Sequence, residues 1–232
     1  MSKYHIGIMT GTSADAIDGC IVSFENDFSL IASDSIDHEH GYKDNYEYCI
    51  AQGLKEVHQS KKLEKLENDL NEKSLELIEN LLSKNNLSYE DVIAIGFSGQ
   101  TVFHSREKSY QIGNPQIIAN NSKIKVISDF RNFDIAKGGS GAPLIPAFHK
   151  YLFSENRKEK IIFNIGGISN GTYLKGNEIS LASDVGPGNC LIDKIAKKEL
   201  GLSFDNDGDL ARKGELHHAL LDLLSTTSDN IN

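Results

Sequence analysis

At 232 residues the chain is long enough for one large domain or two modest lobes, each with its own core. Hydrophobic residues make up 39%, charged residues 25%, and the formal net charge is -9, which together describe a globular protein with an acidic surface. That balance excludes a nucleic-acid binder held by a basic face, because Lys61-Lys62 and Lys197-Lys198 are short runs within helical patterns. Cys20, Cys49 and Cys190 are odd in number, widely spaced and without a CxxC pair. They argue against a disulfide framework or a cysteine-ligated zinc site and for reduced thiols in the cytosol. The start MSKYHIGIM carries no long apolar segment, and no stretch reaches the roughly 18 apolar residues of a membrane span, so a cytoplasmic location is expected.

In chain order, 4–9 reads as a short buried strand running into the turn GTSADAID, and 19–24 and 30–36 read as two more strands. Their short connections predict an antiparallel meander. A polar, aromatic-containing stretch follows at 38–50. Leu63, Leu66, Leu70, Leu75, Ile78, Leu81 and Leu82 recur at near-helical spacing and predict a helix over 61–83 that ends at Asn85-Asn86. VIAIGF at 92–97 is a continuous apolar run, the pattern of a strand buried on both faces, and 124–128 repeats it. Strand, helix, strand and strand predict an α/β domain with a mixed sheet. The Gly/Pro-rich passage AKGGSGAPLIP is read as irregular, with a lobe boundary near it: a first lobe over 1–132 and a second over 133–232. A second cycle begins with strands at 160–165, 171–174 and 178–183 and helices at about 189–200 and 214–224. The recurrence of strand, glycine turn, strand and strand suggests a duplicated lobe.

Five segments carry candidate chemistry. GIMTGTSADAID delivers small residues and two carboxylates after a buried strand. Close backbone approach suits phosphate, and Asp15 or Asp18 suits Mg²⁺, although the segment alone also reads as a plain hairpin. NIGGISN repeats the arrangement, and two such turns in two lobes would clamp a triphosphate. In DVGPGN, Asp184 ends a strand before a Gly-Pro-Gly turn and can serve as a general base; the same residues also suit a helix cap. Asp129, Arg131 and Asp134 stand at the C-terminal end of a strand, where Arg131 can pair with a substrate carboxylate or, equally, stitch the loop together. Gln100 and Thr101 can bond sugar hydroxyls; His104 alone reads as structural. No His/Asp/Glu grouping has metal-ligand spacing, and no serine nucleophile elbow is present.

These segments in this order, with QIGNP at 111–115 and DFRNFDIAKGGSGAPLIPAFH at 129–149, resemble the anhydro-N-acetylmuramic acid kinase family over residues 6 to about 215. The resemblance implies the two-lobed actin-like ATPase (ribonuclease H-like) fold with mixed sheets. It implies an ATP- and Mg²⁺-dependent kinase of peptidoglycan recycling, which converts 1,6-anhydro-N-acetylmuramic acid to the 6-phosphate while water opens the anhydro ring. By position, Asp184 matches the catalytic base. Gly11, Thr12, Ser13, Ala14, Asp15, Ala16, Ile17 and Asp18 match the ATP phosphate loop, and Gly166, Gly167 and Asn170 the second phosphate-facing loop. Gln100, Asp129, Arg131 and Asp134 fall on the sugar side. The metal ligands are left unassigned; a homodimer is consistent with the family. Departures from the family pattern stand at Thr10, Ala16, Ser98 and Val185. The family runs well past residue 232, so an incomplete second lobe is expected, without the segment that cradles adenosine. The alternative to a kinase is therefore a truncated, non-catalytic remnant that at most binds sugar or phosphate.

Overall fold

In the computed structural model, residues 3–11, 13–52 and 61–228 are described. They fall into two compact units, 1–153 and 154–232. The division lies later than the expected boundary at 132, because the passage after Arg131 folds against the first unit. Phe148 and Tyr151 there pack on Phe28 and Phe24, and the 129–141 loop is bonded within itself and to a first-unit strand.

The first unit is built on a five-stranded sheet of order β3-β2-β1-β4-β7. Strands β1 (Tyr4–Thr10), β2 (Ala16–Ser23) and β3 (Ser29–Asp37) form the expected antiparallel meander. Strand β4 (Val92–Phe97) then joins β1 in parallel and β7 (Lys125–Ile127) joins β4 in parallel, which makes the sheet mixed. Helix α1 (Tyr42–Gln52) occupies the stretch read only as polar and aromatic. Tyr42, Tyr46 and Cys49, spaced four and three apart, are its buried stripe. Helix α2 (Lys61–Lys84) lays Leu66, Leu70, Leu77, Ile78 and Leu81 over one sheet face, against Ile6, Ile17, Ile21 and Ile95. Each such burial contributes about 1.5–3 kcal/mol. Gly19 lets the helix sit this close, since a Cβ there would lie 2.8 Å from Leu81 Cδ1 and 2.9 Å from Leu77 Cδ2.

Burial on both faces holds for most of β4, where Val92, Ala94, Ile95 and Phe97 are buried and Ile93, at a slip in the pairing with β1, is 46% exposed; it is corrected for β7, whose Ile127 is 50% exposed. Besides α1, a hairpin of β5 (Gln100–His104) and β6 (Ser109–Ile112) and the helix α3 (Pro115–Ser122) lie outside the sequence reading. Asn114 caps α3, its Oδ1 accepting the Gln116 N–H at 3.0 Å, with Pro115 in the first turn. Helices α4 (Phe130–Ala136) and α5 (Pro146–Phe153) flank the Gly/Pro-rich passage, which is irregular as expected.

The second unit opens on another antiparallel meander, β8 (Glu159–Ile165), β9 (Ile168–Lys175) and β10 (Glu178–Pro187), in the order β10-β9-β8. Helices α6 (Cys190–Leu200) and α7 (His218–Ser228) follow. Thr172, Leu174 and Ala196 form a small buried centre. Ile161, Phe163 and Ile165 alternate along β8 on the other face of the sheet, where Leu181 also stands. These four are exposed, Ile161 to 72%.

Candidate active site

Thr10 ends β1 opposite Ile17, and Gly11 to Asp15 make the turn. Thr12 lies outside the described residues. Ala14 takes a left-handed φ of 51° and is 1% exposed, so its methyl anchors the turn while its N–H donates to the Gly11 carbonyl at 3.2 Å. Ile17 points into the core; it supports the turn and offers nothing to a ligand. Ser13, Asp15 and Asp18 are exposed. Gly11 and Ala16 are half-buried. The far side of the turn is fixed by α1 and its approach: the His38 N–H donates to the Asp15 carbonyl at 2.9 Å, and Lys43 Nζ to Asp15 Oδ1 at 2.8 Å. Lys43 therefore brings a cation to the turn that the sequence reading missed, because α1 itself was missed.

His38 stacks on Tyr42, ring centroids 3.6 Å apart. Its Nδ1 and the Tyr42 hydroxyl are buried without a hydrogen-bond partner among the described residues. Burial disfavours the charged imidazole and lowers its pKa to about 4, against an opposing pull from Asp15. The unfolded chain protonates this histidine near its ordinary value of about 6.5. Between those values the unfolded state binds the extra proton, so stability falls as the pH falls through that window. His38→Phe keeps the stack and removes the titration. It should flatten the loss of unfolding free energy between pH 7 and 4.5 by about 1–2 kcal/mol, a value discounted for partial exposure, as read by urea unfolding at each pH.

Beside the turn, the ends of β4 and β7 and the β5–β6 hairpin wall a groove of about 260 Å³, lined by Ser98, Gly99, Ser109, Gln111, Asp129 and Asn132 among others. Asp129 precedes α4 with a left-handed φ of 58°. Asn132 fastens this wall: its Nδ2 donates to Asp129 Oδ1 at 2.6 Å and to the Ser109 carbonyl at 2.9 Å, and its Oδ1 accepts the Ser109 N–H at 2.9 Å. Arg131 and Asp134 are used differently. Arg131 Nη1 donates to the Gly141 carbonyl at 3.2 Å, and Asp134 Oδ2 accepts the Gly141 N–H at 2.8 Å. Any side chain at Gly139 would collide with Asp134, 2.0 Å from its Oδ2. Of the three, Asp129 lines the groove, while Arg131 and Asp134 close the glycine loop on itself. Asn132, Ser109 and Gln111 line it without having been singled out.

Gln100 lies beneath the turn. It is 0% exposed, and both ends of its amide are engaged with Thr10 and Gly11. The sugar contact expected of it is not what this arrangement offers.

In the second unit, Gly166-Gly167 joins β8 to β9 and is knitted to the turn after β10. The Gly188 N–H donates to the Gly167 carbonyl at 3.0 Å and the Asn189 N–H to the Gly166 carbonyl at 2.8 Å. Asn164, Asn170 and Asp184 form one row across the three strands, Asn170 paired with each of the other two. The pairing slips between Asp184 and Gly186, a bulge of the kind that re-aims a side chain. Asp184 is exposed on that row, with its carboxylate open to solvent.

Among the described residues, no group of three or more His, Cys, Asp and Glu side chains is placed to hold a metal by itself. The exposed carboxylates of Asp15 and Asp18 are hard oxygen donors of the type that shares Mg²⁺ with a phosphate, so the first turn fits a metal brought by the nucleotide. No helix among the described residues is long and apolar enough to cross a membrane.

The model of the family described as "Anhydro-N-acetylmuramic acid kinase" matches residues 3–228. The kinase of that description from Shewanella baltica (strain OS185) is 42% identical over 228 residues, 95% of this chain and 60% of that one. The one from Shewanella frigidimarina (strain NCIMB 400) is 40% identical over 237 residues, 98% of this chain and 63% of that one. Among solved structures, component A of the (R)-2-hydroxyglutaryl-CoA dehydratase of Acidaminococcus fermentans is similar at 11% identity and a TM-score of 0.47, covering 100% of this chain and 70% of that one. The chain thus spans about 60% of the length of the curated relatives it matches. With the family model matching residues 3–228, nearly all of this chain, the chain belongs to the anhydro-N-acetylmuramic acid kinase family.

Proposed function

We propose that the chain catalyses the reaction of 1,6-anhydro-N-acetylmuramic acid with ATP and water to give N-acetylmuramic acid 6-phosphate and ADP, a step of peptidoglycan recycling in the cytoplasm. The observation that carries this reading is the exposed Asp184 at a bulge, beside Asn164 and Asn170 and a Gly-Gly turn. Asp184 accepts a proton from water. The water oxygen bonds to the anomeric carbon, and the bond from that carbon to O6 breaks. O6 takes the γ-phosphoryl group, its bond to the β-phosphate oxygen breaks, and ADP leaves.

The remaining side chains bind and orient. The 11–15 turn meets phosphate oxygens through backbone N–H groups and the Ser13 hydroxyl, with Lys43 adding positive charge nearby. Gly166, Gly167 and Asn170 do the same in the second unit. Mg²⁺ supplies charge neutralisation on the phosphates when bound, and Asp15 and Asp18 are its candidate ligands on this chain. The groove at Ser98, Gln111 and Asp129 offers hydroxyl, amide and carboxylate partners for sugar hydroxyls. Arg131 and Asp134 act from behind it by shaping the 137–141 loop.

A second reading is a protein that binds ligand without turnover. It is favoured by the exposed Ile161, Phe163, Ile165 and Leu181, which leave one face of the second unit's sheet apolar and uncovered. Incubation of the chain with ATP, Mg²⁺ and the anhydro sugar decides between them. Formation of the 6-phosphate, read by mass spectrometry, is expected; binding of both ligands with no product would favour the second reading.

A further inference from the structure

We infer that Gln100 is the positioning residue of the phosphate turn rather than a sugar contact; the inference rests on the reading of residues 11–15 as that turn. Gln100 opens β5, far from Thr10 in sequence, yet the Thr10 hydroxyl donates to its Oε1 at 2.8 Å and its Nε2 donates to the Gly11 carbonyl at 3.0 Å. It has no exposed surface from which to reach a sugar.

The local structure aims it there. Gly99, at a φ of 64°, makes the bend that turns the chain under the hairpin. A Cβ at this position would lie 2.5 Å from the Ile112 carbonyl oxygen, so no other residue fits. The Tyr46 hydroxyl donates to the Thr101 carbonyl at 2.7 Å and fixes the next residue. Gln100 thus enters between a carbonyl and a hydroxyl that need a donor and an acceptor at once. Among side chains of this length only an amide supplies both.

The functional consequence follows from the sign of the dipole. A carbonyl oxygen facing a phosphate repels it. Tying the Gly11 carbonyl inward, to Gln100 and to the Ala14 N–H, removes an acceptor that would face a phosphate and leaves the exposed Ser13 as a donor on the turn. The segment 98–100 therefore walls the groove with Ser98 and Gly99 and sets the phosphate turn with its next residue.

The test uses the whole chain with Gln100→Met, Gln100→Glu and Thr10→Val. ATP with Mg²⁺ and the anhydro sugar are titrated separately by calorimetry, and amide exchange is followed over residues 11–18. Gln100→Met should weaken ATP about tenfold and raise exchange in the turn about tenfold, with sugar affinity changed less than about twofold and exchange in α2 unaltered. Gln100→Glu keeps the acceptor for Thr10 but sets a second acceptor against the Gly11 carbonyl and buries a charge, so it should weaken ATP at least as much as Gln100→Met. Thr10→Val shifts ATP affinity in the same direction, and the double variant is no weaker than Gln100→Met alone. Loss of sugar affinity with ATP unaltered would overturn the inference, as would unchanged exchange in the turn of a folded variant. If Gln100→Met does not fold, Thr10→Val decides by the same readings. A wild-type chain that binds no ATP would remove the kinase reading, while the exchange measurement would still decide whether Gln100 holds the turn.

Discussion

Asp184→Asn should lower formation of the 6-phosphate by about a thousandfold while leaving the affinity for the anhydro sugar within about twofold. The side chains are nearly isosteric, and the amide can still hydrogen-bond, but it cannot take a proton from water. The position is exposed, so the exchange opens no cavity and buries no unpaired group. Its strand pairing with Asn170 runs through the backbone and survives. Stability should therefore stay within about 0.5 kcal/mol of wild type. Steady-state product formation and sugar calorimetry, measured on the same preparation, separate the two effects. A variant with ordinary turnover would remove Asp184 from the mechanism. One that loses sugar affinity in proportion to rate would make it a binding residue instead.

Gly188→Ala should be the most damaging single methyl in the second unit. The added carbon would stand 2.1 Å from the Gly166 carbonyl oxygen and 2.8 Å from Ser169 Oγ, against backbone that cannot yield cheaply. Relief requires parting the two turns, which breaks the bonds from Gly188 and Asn189 to Gly167 and Gly166. Two lost hydrogen bonds and the displaced turn together cost about 3 kcal/mol. Gly167→Ala is the control, since nothing lies within 4 Å of a Cβ at that position, and it should cost less than about 1 kcal/mol. Urea unfolding followed by circular dichroism compares the two. Equal midpoints would mean that the Gly166-Gly167 turn is not locked by the segment after β10.

The elements legible in the sequence were those whose burial is periodic or continuous. The leucines of α2 and the apolar runs of β1 and β4 are legible because one face of each leaves water; β8 is legible from its apolar run alone, since Ile161, Phe163 and Ile165 stay exposed. Helix α1 was not recognised, although Tyr42, Tyr46 and Cys49 carry a helical stripe; polar residues around them mask it. Asn114-Pro115 was an available start signal for α3 and went unread. The two compact units divide after residue 153 and not at the glycine-rich passage, which reads locally as a break but which Asp134 and Arg131 fold back on Gly141.

The two glycine turns could be singled out because each follows a strand directly, and Asp184 because it stands just before a Gly-Pro-Gly turn. The use of Gln100 could not. It depends on which residue of β5 lands beneath Thr10, and that register is set by the mixed sheet and by Tyr46 on a helix the sequence reading lacked. Asn132 is a parallel case, since its two bonds to Ser109 exist only once β6 lies beside α4.

Turnover in ¹⁸O-labelled water tests the coupling of ring opening to phosphoryl transfer most directly. The wild-type chain, given ATP, Mg²⁺ and the anhydro sugar, should yield a 6-phosphate with one heavy oxygen at the anomeric carbon and none in the phosphoryl group, when sampled before the anomeric oxygen exchanges. Heavy oxygen in free phosphate with the anhydro sugar intact would show water attacking ATP, and would contradict a base at Asp184 that serves the sugar.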